Sequence, residues 1–568
     1  MNKHVSRRDF FKGTLCACAA TAIGSGMSGI GGNDGNGGTI LLADELAKQP
    51  PVLPLFPDGQ RRQINASERV FHISATCEEI LQRDETGCFV LPELWRAAGI
   101  TDVWLFAWHR GDWQYPWSVL DESARTVQKH GMTPHLLTVP FGHPSGTPDA
   151  HQEKNGWKPA TRPAGNHRWG VCCHVPADQA CVNSVREIAN HYGPCSLFLD
   201  DDFRMADTPA DIGGCICPEC RADFQKKTGY TDAQWDEMLR LVLENQDTPQ
   251  VRTWVDYWCD RLTKVFRDTE TASPEVDLGI MVMGMGSERA GIRLDDYRGK
   301  LFRVGEWMFT DYEYNPTKNK TIELFSVLMH RRFADPGRAF SETTIIKQLS
   351  AENYASKLVM STFSDTRNTM FMCPIPTEYW AMLTPRVQQE RRFHQRLVGQ
   401  KAKGPFKHFW GLADRYMAGY DAYSLFLALG VPFEVCDQLP ADGWTFLGNA
   451  SAAEMDRGVL QSPGTRCVAR SESKSGRFQK VDETFPSLFE FRCSLLPQFR
   501  EQGIPYIEEE TPVVLGWYPD ARAMLVWNAE PVTKILHLRK GSAQHVLALN
   551  PLDSALVLEE ADGALRRG

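Results

Sequence analysis

Three features of the sequence predict an α/β chain: a (β/α)8 barrel of the TIM type, then a small α/β unit (Rossmann/amidotransferase-like), then a C-terminal β unit. First, eight short apolar runs alternate with helical periodicities between about residues 68 and 395. Second, the opening run Val70–Cys77 lacks the Gly-rich turn that starts a doubly wound sheet. Third, the pattern shortens after residue 400 and ends in apolar/polar alternation at the spacing of hairpins. A chain of 568 residues also exceeds what a single core organises. The balance of 42 % hydrophobic and 23 % charged residues excludes disorder as the main state. A net charge of −9 argues against a nucleic-acid partner.

The chain begins Ser6-Arg7-Arg8-Asp9-Phe10-Phe11-Lys12 before the mildly apolar stretch 14–23, the pattern of a Tat export signal. The signal and the start of a linker occupy 1–45, and the linker continues over 46–67. Cys18 is a weaker candidate for lipid attachment. No later segment is apolar for long enough to span a membrane, so the expectation is a periplasmic or extracellular protein.

Predicted barrel strands are Val70–Ser74, Val103–Ala107, His135–Val139, Leu197–Asp200, Leu278–Met283, Leu301–Val304, Ala339–Ser341 and Thr369–Met372. Trp235, Met238, Leu239 and Val242, and then Trp254, Trp258, Leu262 and Val265, repeat at helical spacing and mark core-facing helices. Met281, Met283 and Met285 alternate as barrel packing. The barrel is expected over 68–395. An α/β unit over 396–508 carries strands His408–Gly411, Phe433–Cys436 and Thr445–Leu447 and a helical stretch Ala422–Leu429. A β-sandwich-like unit over 509–568 carries Val513–Trp517, Met524–Trp527, Ile535–Leu538 and His545–Leu549.

In such a barrel, chemistry sits on the loops after the strands. The fourth strand ends Leu199-Asp200-Asp201-Asp202-Phe203 and the seventh ends Ser341-Glu342-Thr343. If the extended geometry persists, Asp200 and Asp202 share a face. Crowded carboxylates raise one another's pKa values, as a general acid requires. Carboxylates facing each other across a barrel mouth suit glycosidic cleavage, and Glu306 and Glu378 are rivals for the second position. The alternative reading of the three aspartates is a helix cap or cation site. Trp108, Arg110, Trp113, His143, Trp307 and Trp380 fall on the predicted rim, where aromatic faces stack on sugars and Arg or His donors fix hydroxyls.

Cys215-x-Cys217-Pro218-x-Cys220, with Cys172-Cys173 upstream, brings thiols within reach of one ion. Zinc, disulfides and an iron–sulfur cluster all remain open on spacing alone. Four thiolates on zinc leave no position for water, so such a site is structural. Cys77, Cys88, Cys181, Cys195, Cys259, Cys373, Cys436, Cys467 and Cys493 read as small buried hydrophobes.

Leu199 to Phe203, followed by Cys215-x-Cys217-Pro218-x-Cys220-x-x-x-Phe224, resembles the family-42 glycoside hydrolases, beta-galactosidases whose fourth strand reads Ile-Asp-Asn-Glu-Tyr before a zinc loop. Cys172-x-x-x-Pro176, Ser341-Glu342-Thr343 and Leu425 to Glu434 are similar to that family's first zinc segment, its nucleophile strand and the start of its trimerisation domain. The resemblance implies Asp202 as acid/base, Glu342 as nucleophile, Asp201 at the substrate, Cys172, Cys215, Cys217 and Cys220 as ligands of structural zinc, no organic cofactor, and a trimer. This chain has Asp201-Asp202 where the family has Asn-Glu. A shorter acid widens the gap expected of a retaining pair, and an ionised Asp201 accepts hydrogen bonds but cannot donate one as Asn does.

The expectation is therefore an exported glycoside hydrolase acting on a sugar or oligosaccharide, retaining by resemblance. The rival readings are a carbohydrate-binding barrel without turnover and an exported redox metalloprotein.

Overall fold

The computed structural model describes residues 53–56, 64, 66–141, 155–163, 168–200, 203–206, 208–304, 310–343 and 349–568. Eight parallel strands close on themselves: β1 (Val70–Ala75), β2 (Asp102–His109), β3 (Thr133–Val139), β4 (Cys195–Leu199), β5 (Val276–Val282), β6 (Leu301–Val304), β7 (Ala339–Thr343) and β8 (Asn368–Met372). Pairing of β1 with both β2 and β8 completes the (β/α)8 barrel. Each strand is an apolar run, because barrel strands are buried on both faces.

The barrel interior is filled in tiers. At the N-terminal end, His135 Nε2 donates to Asp102 at 2.8 Å, and His72 Nε2 donates to Asn368 Oδ1 at 3.0 Å. Against them Trp104, Leu137, Phe198, Leu301, Phe340 and Met370 form an apolar plug, with Trp104 stacked on His135 at 4.5 Å. Ile64 joins that plug, and Leu55 and Phe56 are buried as well. The segment expected to be only a linker therefore contributes apolar side chains to the core. Its Pro-rich composition signals an irregular backbone and says nothing about burial.

The helices Asp232–Leu243 and Pro249–Ala272 form where the periodicity places them, with Trp254 and Trp258 in the core. Met281, Met283 and Met285 are buried as expected. Beyond the barrel, five parallel strands run in the order Phe433–Cys436, Phe406–Phe409, Trp444–Leu447, Arg466–Ala469, Gln479–Lys480. The stretch 422–429, expected to be helical, forms only a short 3-10 turn over Leu425–Ala428. The backbone is drawn into other pairings there: Gly430 N–H donates to Val513 O at 2.7 Å, and Val513 N–H donates to Ala428 O at 2.9 Å.

Two small antiparallel sheets finish the chain. One is Tyr506–Ile507, Lys534–Lys540 and Ala543–Leu549; the other is Val514–Tyr518, Ala523–Trp527, Ser554–Glu559 and Leu565–Arg567. No helix among the described residues is long and apolar enough to cross a membrane.

Candidate active site and metal centre

Glu342 lies one residue before the end of β7, and Asp200 follows the last residue of β4. Both belong to the C-terminal mouth of the barrel, and both are buried. Between them stands Arg303 of β6, only 2 % exposed. Its Nη2 is ion-paired with Asp200 Oδ1, and its Nη1 lies 3.3 Å from Glu342 Oε1. One guanidinium fork thus serves two carboxylates from separate strands. Its positive charge favours the ionised form of each.

The N–H of Phe203 donates to Asp200 O at 2.8 Å, and the Phe203 ring stacks on Phe141 at 5.7 Å. Asp201 and Asp202 lie outside the described residues, as do His143, Glu306 and Trp307.

The remaining rim residues divide. Arg110 sits in the left-handed region, φ +52°, at the tight turn after β2, and its N–H donates to Val139 O at 2.9 Å. Trp108 is buried with its ring 6.0 Å from that of Trp157. Trp380 does not belong to the rim. It opens the helix Trp380–Leu397, is 2 % exposed, and meets Phe371 edge-on at 5.8 Å. A Trp just after a barrel strand packs behind the wall here, because the chain has already turned into its helix.

The four cysteines singled out by spacing come together. The ligating atoms of Cys172, Cys215, Cys217 and Cys220 all lie within 4.8 Å of one another, and all four residues are buried. Cys172 Sγ is 3.3 Å from Cys220 Sγ and 3.8 Å from Cys217 Sγ, while Cys217 and Cys220 are 3.4 Å apart. Sulfurs bound tetrahedrally at ~2.3 Å from zinc stand ~3.8 Å from each other, so the donor set fits that ion. The cysteines carry free thiols, with no disulfide among the described residues.

Local structure builds this cluster. Cys172 leaves the short strand Arg168–Val171, and its N–H donates to Lys158 O at 2.8 Å. Thr161 N–H donates to Cys215 Sγ at 3.3 Å. Cys217 caps the helix Pro218–Thr228, and Pro218 starts it without wasting a donor. The thiols share charge unequally: hydrogen bonds from Cys172 and then Cys217 and Cys220 pull Cys215 far down, while the Cys215 partner pushes Cys172 far up. A cation removes that conflict by taking all four as thiolates.

Two residues of the site, His174 and Arg303, stand outside the motifs that spacing picks out. His174 Nδ1 lies 3.4 Å from both Cys172 Sγ and Cys220 Sγ, and its Nε2 lies 3.7 Å from Asp223. Cys172-x-His174 was the available signal for the first, and a charge inside the apolar run Leu301–Val304 for the second. Of the other cysteines, Cys77, Cys181, Cys195, Cys259 and Cys467 are buried as expected. Cys373, Cys436 and Cys493 are partly exposed, and Cys88 is exposed in the loop before the helix Val90–Ala98.

No protein-family model matches the chain, and no curated protein sequence matches it. Solved structures do. A beta-galactosidase from the psychrophilic Marinomonas ef1 superposes with TM-score 0.54 at 11 % identity, covering 86 % of this chain and 99 % of that one. A cold-adapted beta-galactosidase from Rahnella sp. R3 gives 0.55 at 10 %, covering 90 % and 100 %. A catalytic mutant of Gan42B, a GH42 beta-galactosidase from G. stearothermophilus, gives 0.56 at 9 %, covering 90 % and 100 %. At these identities the likeness establishes one thing: this chain has the fold of the GH42 beta-galactosidases along most of its length.

Proposed function

We propose that the protein is an exported glycoside hydrolase that cleaves a sugar or oligosaccharide with Glu342 as nucleophile and Asp202 as acid/base. The observation that carries this reading is Glu342 itself, a buried carboxylate at the barrel mouth held beside a guanidinium. An ionised carboxylate in that place suits attack on an anomeric carbon. The shared fold with beta-galactosidases supports the reaction class.

In the reaction, the protonated carboxyl of Asp202 gives its proton to the glycosidic oxygen as that bond breaks. Glu342 bonds to the anomeric carbon, and the aglycone leaves as an alcohol. Asp202, now a carboxylate, takes a proton from water, which displaces Glu342 and releases the sugar with its configuration retained. Asp200 is excluded from the donor role because its carboxylate is engaged by Arg303.

Cys172, Cys215, Cys217 and Cys220 would hold zinc, which would supply structure and not catalysis, since four thiolates leave no open position. The twin arginines at Arg7 and Arg8 support the Tat export route, and the family resemblance supports a trimer.

Steady-state hydrolysis of aryl glycosides tests the assignment. Glu342→Gln should lower kcat about a thousandfold or more. Asp202→Asn should fail more severely on poor leaving groups than on activated ones, since only the former need protonation. Wild-type rates in both variants overturn it.

A further inference from the structure

We infer that Arg303 is a positioning residue: a strut that fixes the attacking carboxylate of Glu342 by bracing it against Asp200. The inference rests on the glycosidase reading and adds to it a part played by β6. Arg303 emerges from the strand sequence Leu301-Phe302-Arg303-Val304, where an apolar residue would satisfy burial on both faces. A buried arginine is costly unless its charge is matched, and here the matching groups come from two other strands. Nη2 engages Asp200 at the end of β4, and Nη1 faces Glu342 on the neighbouring β7.

To reach Asp200, the side chain must cross β5. Arg303 pairs in register with Met281 of β5, and two residues earlier on the same strand Gly279 pairs with Phe198 of β4 and Leu301 of β6. A Cβ on Gly279 would lie 2.5 Å from Leu301 Cβ and 2.6 Å from the Phe198 ring. The missing side chain leaves the space over β5 to Phe198 and Leu301, and the Arg303 guanidinium rests 5.8 Å from the centre of the Phe198 ring. On its other flank, Nη1 lies 3.2 Å from Met370 Sδ of β8. Ring, thioether and two carboxylates define one orientation of the fork.

The two nitrogens of a planar fork are a fixed distance apart, so holding Asp200 also sets where Glu342 finds its charge partner. Lysine, with a single nitrogen, serves one carboxylate or the other. The strut therefore acts on bond formation to Glu342 through the geometry and charge of that carboxylate, without touching sugar itself.

The test is the rate of covalent labelling at Glu342 by a panel of 2-deoxy-2-fluoro glycosyl fluorides in galacto, gluco, manno and xylo configurations, followed by mass spectrometry of the intact chain. Wild type should accumulate a stoichiometric adduct on Glu342. Arg303→Met should slow its formation about a hundredfold or more, with the reagent concentration for half-maximal rate little changed. Arg303→Lys should recover part of that loss, and Asp200→Asn should cost about tenfold because the fork is then held at one end. A folded Arg303→Met that labels at the wild-type rate overturns the strut and leaves the glycosidase reading standing. If Arg303→Met does not fold, Arg303→Lys labelling at the wild-type rate overturns the strut in its place. A wild type that hydrolyses aryl glycosides but never labels on Glu342 refutes nucleophile and strut together.

Discussion

Gly214 offers a sharp test of how the cysteine loop is built. Its φ of +137° lies where residues with a Cβ are strained, and an added Cβ would stand 2.2 Å from Trp254 Cζ2 and 2.5 Å from Trp258 Nε1. Neither indole can retreat. Trp254 is fully buried, its Nε1 donates to Gly213 O at 2.8 Å, and the rings of Phe224, Trp235 and Trp258 each lie 5.6 Å from its own. Backbone strain of about 1–3 kcal/mol adds to overpacking of about 1–3 kcal/mol, so Gly214→Ala should destabilise by about 2–6 kcal/mol. Gly229 is the control, because its φ is +75° and nothing stands within 4 Å of an added Cβ. Gly229→Ala meets strain alone, about 1 kcal/mol. Urea unfolding followed by tryptophan emission should place the Gly214→Ala midpoint clearly below that of Gly229→Ala. The neighbouring Cys215 should lose its place as well, measured as bound zinc per chain. Equal midpoints for the two variants would refute the steric argument.

Three further outcomes are expected. Cys217→Ser should abolish stoichiometric zinc, checked by elemental analysis, because a hydroxyl replaces one of four thiolates. Lys357→Met should cost about 3–5 kcal/mol in urea unfolding, since Lys357 and Glu323 form a fully buried pair at 3.1 Å, and Glu323→Leu in the same chain should restore most of it. Burial raises Asp414 from 3.8 to about 6 against hydrogen bonds from Ser451. The native state then holds a proton that the unfolded chain has lost, so stability should fall by about 3 kcal/mol as pH rises from about 4 to about 6. Asp414→Asn should flatten that slope.

The barrel was legible because each strand is a short apolar run and each intervening helix repeats its apolar residues at helical spacing. Leu301–Val304 has the predicted bounds, and the other seven strands differ by one or two residues at one end or at both. Arg466–Ala469 and Gln479–Lys480 were missed because they are short, and the latter is exposed and charged at a sheet edge. Leu425–Ala428 misled because its composition suits a helix while its backbone partners come from Val513, far along the chain. The same division holds at the site. The cysteines and Glu342 announce themselves by local spacing and residue type. Arg303 has meaning only through Asp200 and Glu342, which closure of the barrel brings to it.

These local and long-range devices converge on the segment after β4. At its start, Asp200 is held by Arg303 and by its own N–H, which donates to Thr138 O at 2.8 Å. At its end, Met205 N–H donates to Ala290 O, and Gly214 N–H donates to Met205 O, each at 2.8 Å. Arg162 ties the Met205 and Gly214 carbonyls together with one nitrogen. Gly214 leads directly into Cys215, so the cysteine cluster stands behind the far anchor of the segment that carries Asp201 and Asp202. A metal held by the four thiols, as proposed, and the buried arginine inside the barrel would then have one purpose in common. On the proposed glycosidase reading, each would fix an end of the segment that carries the acid Asp202, and a shift of about 1 Å at either end is enough to cost a large part of the rate.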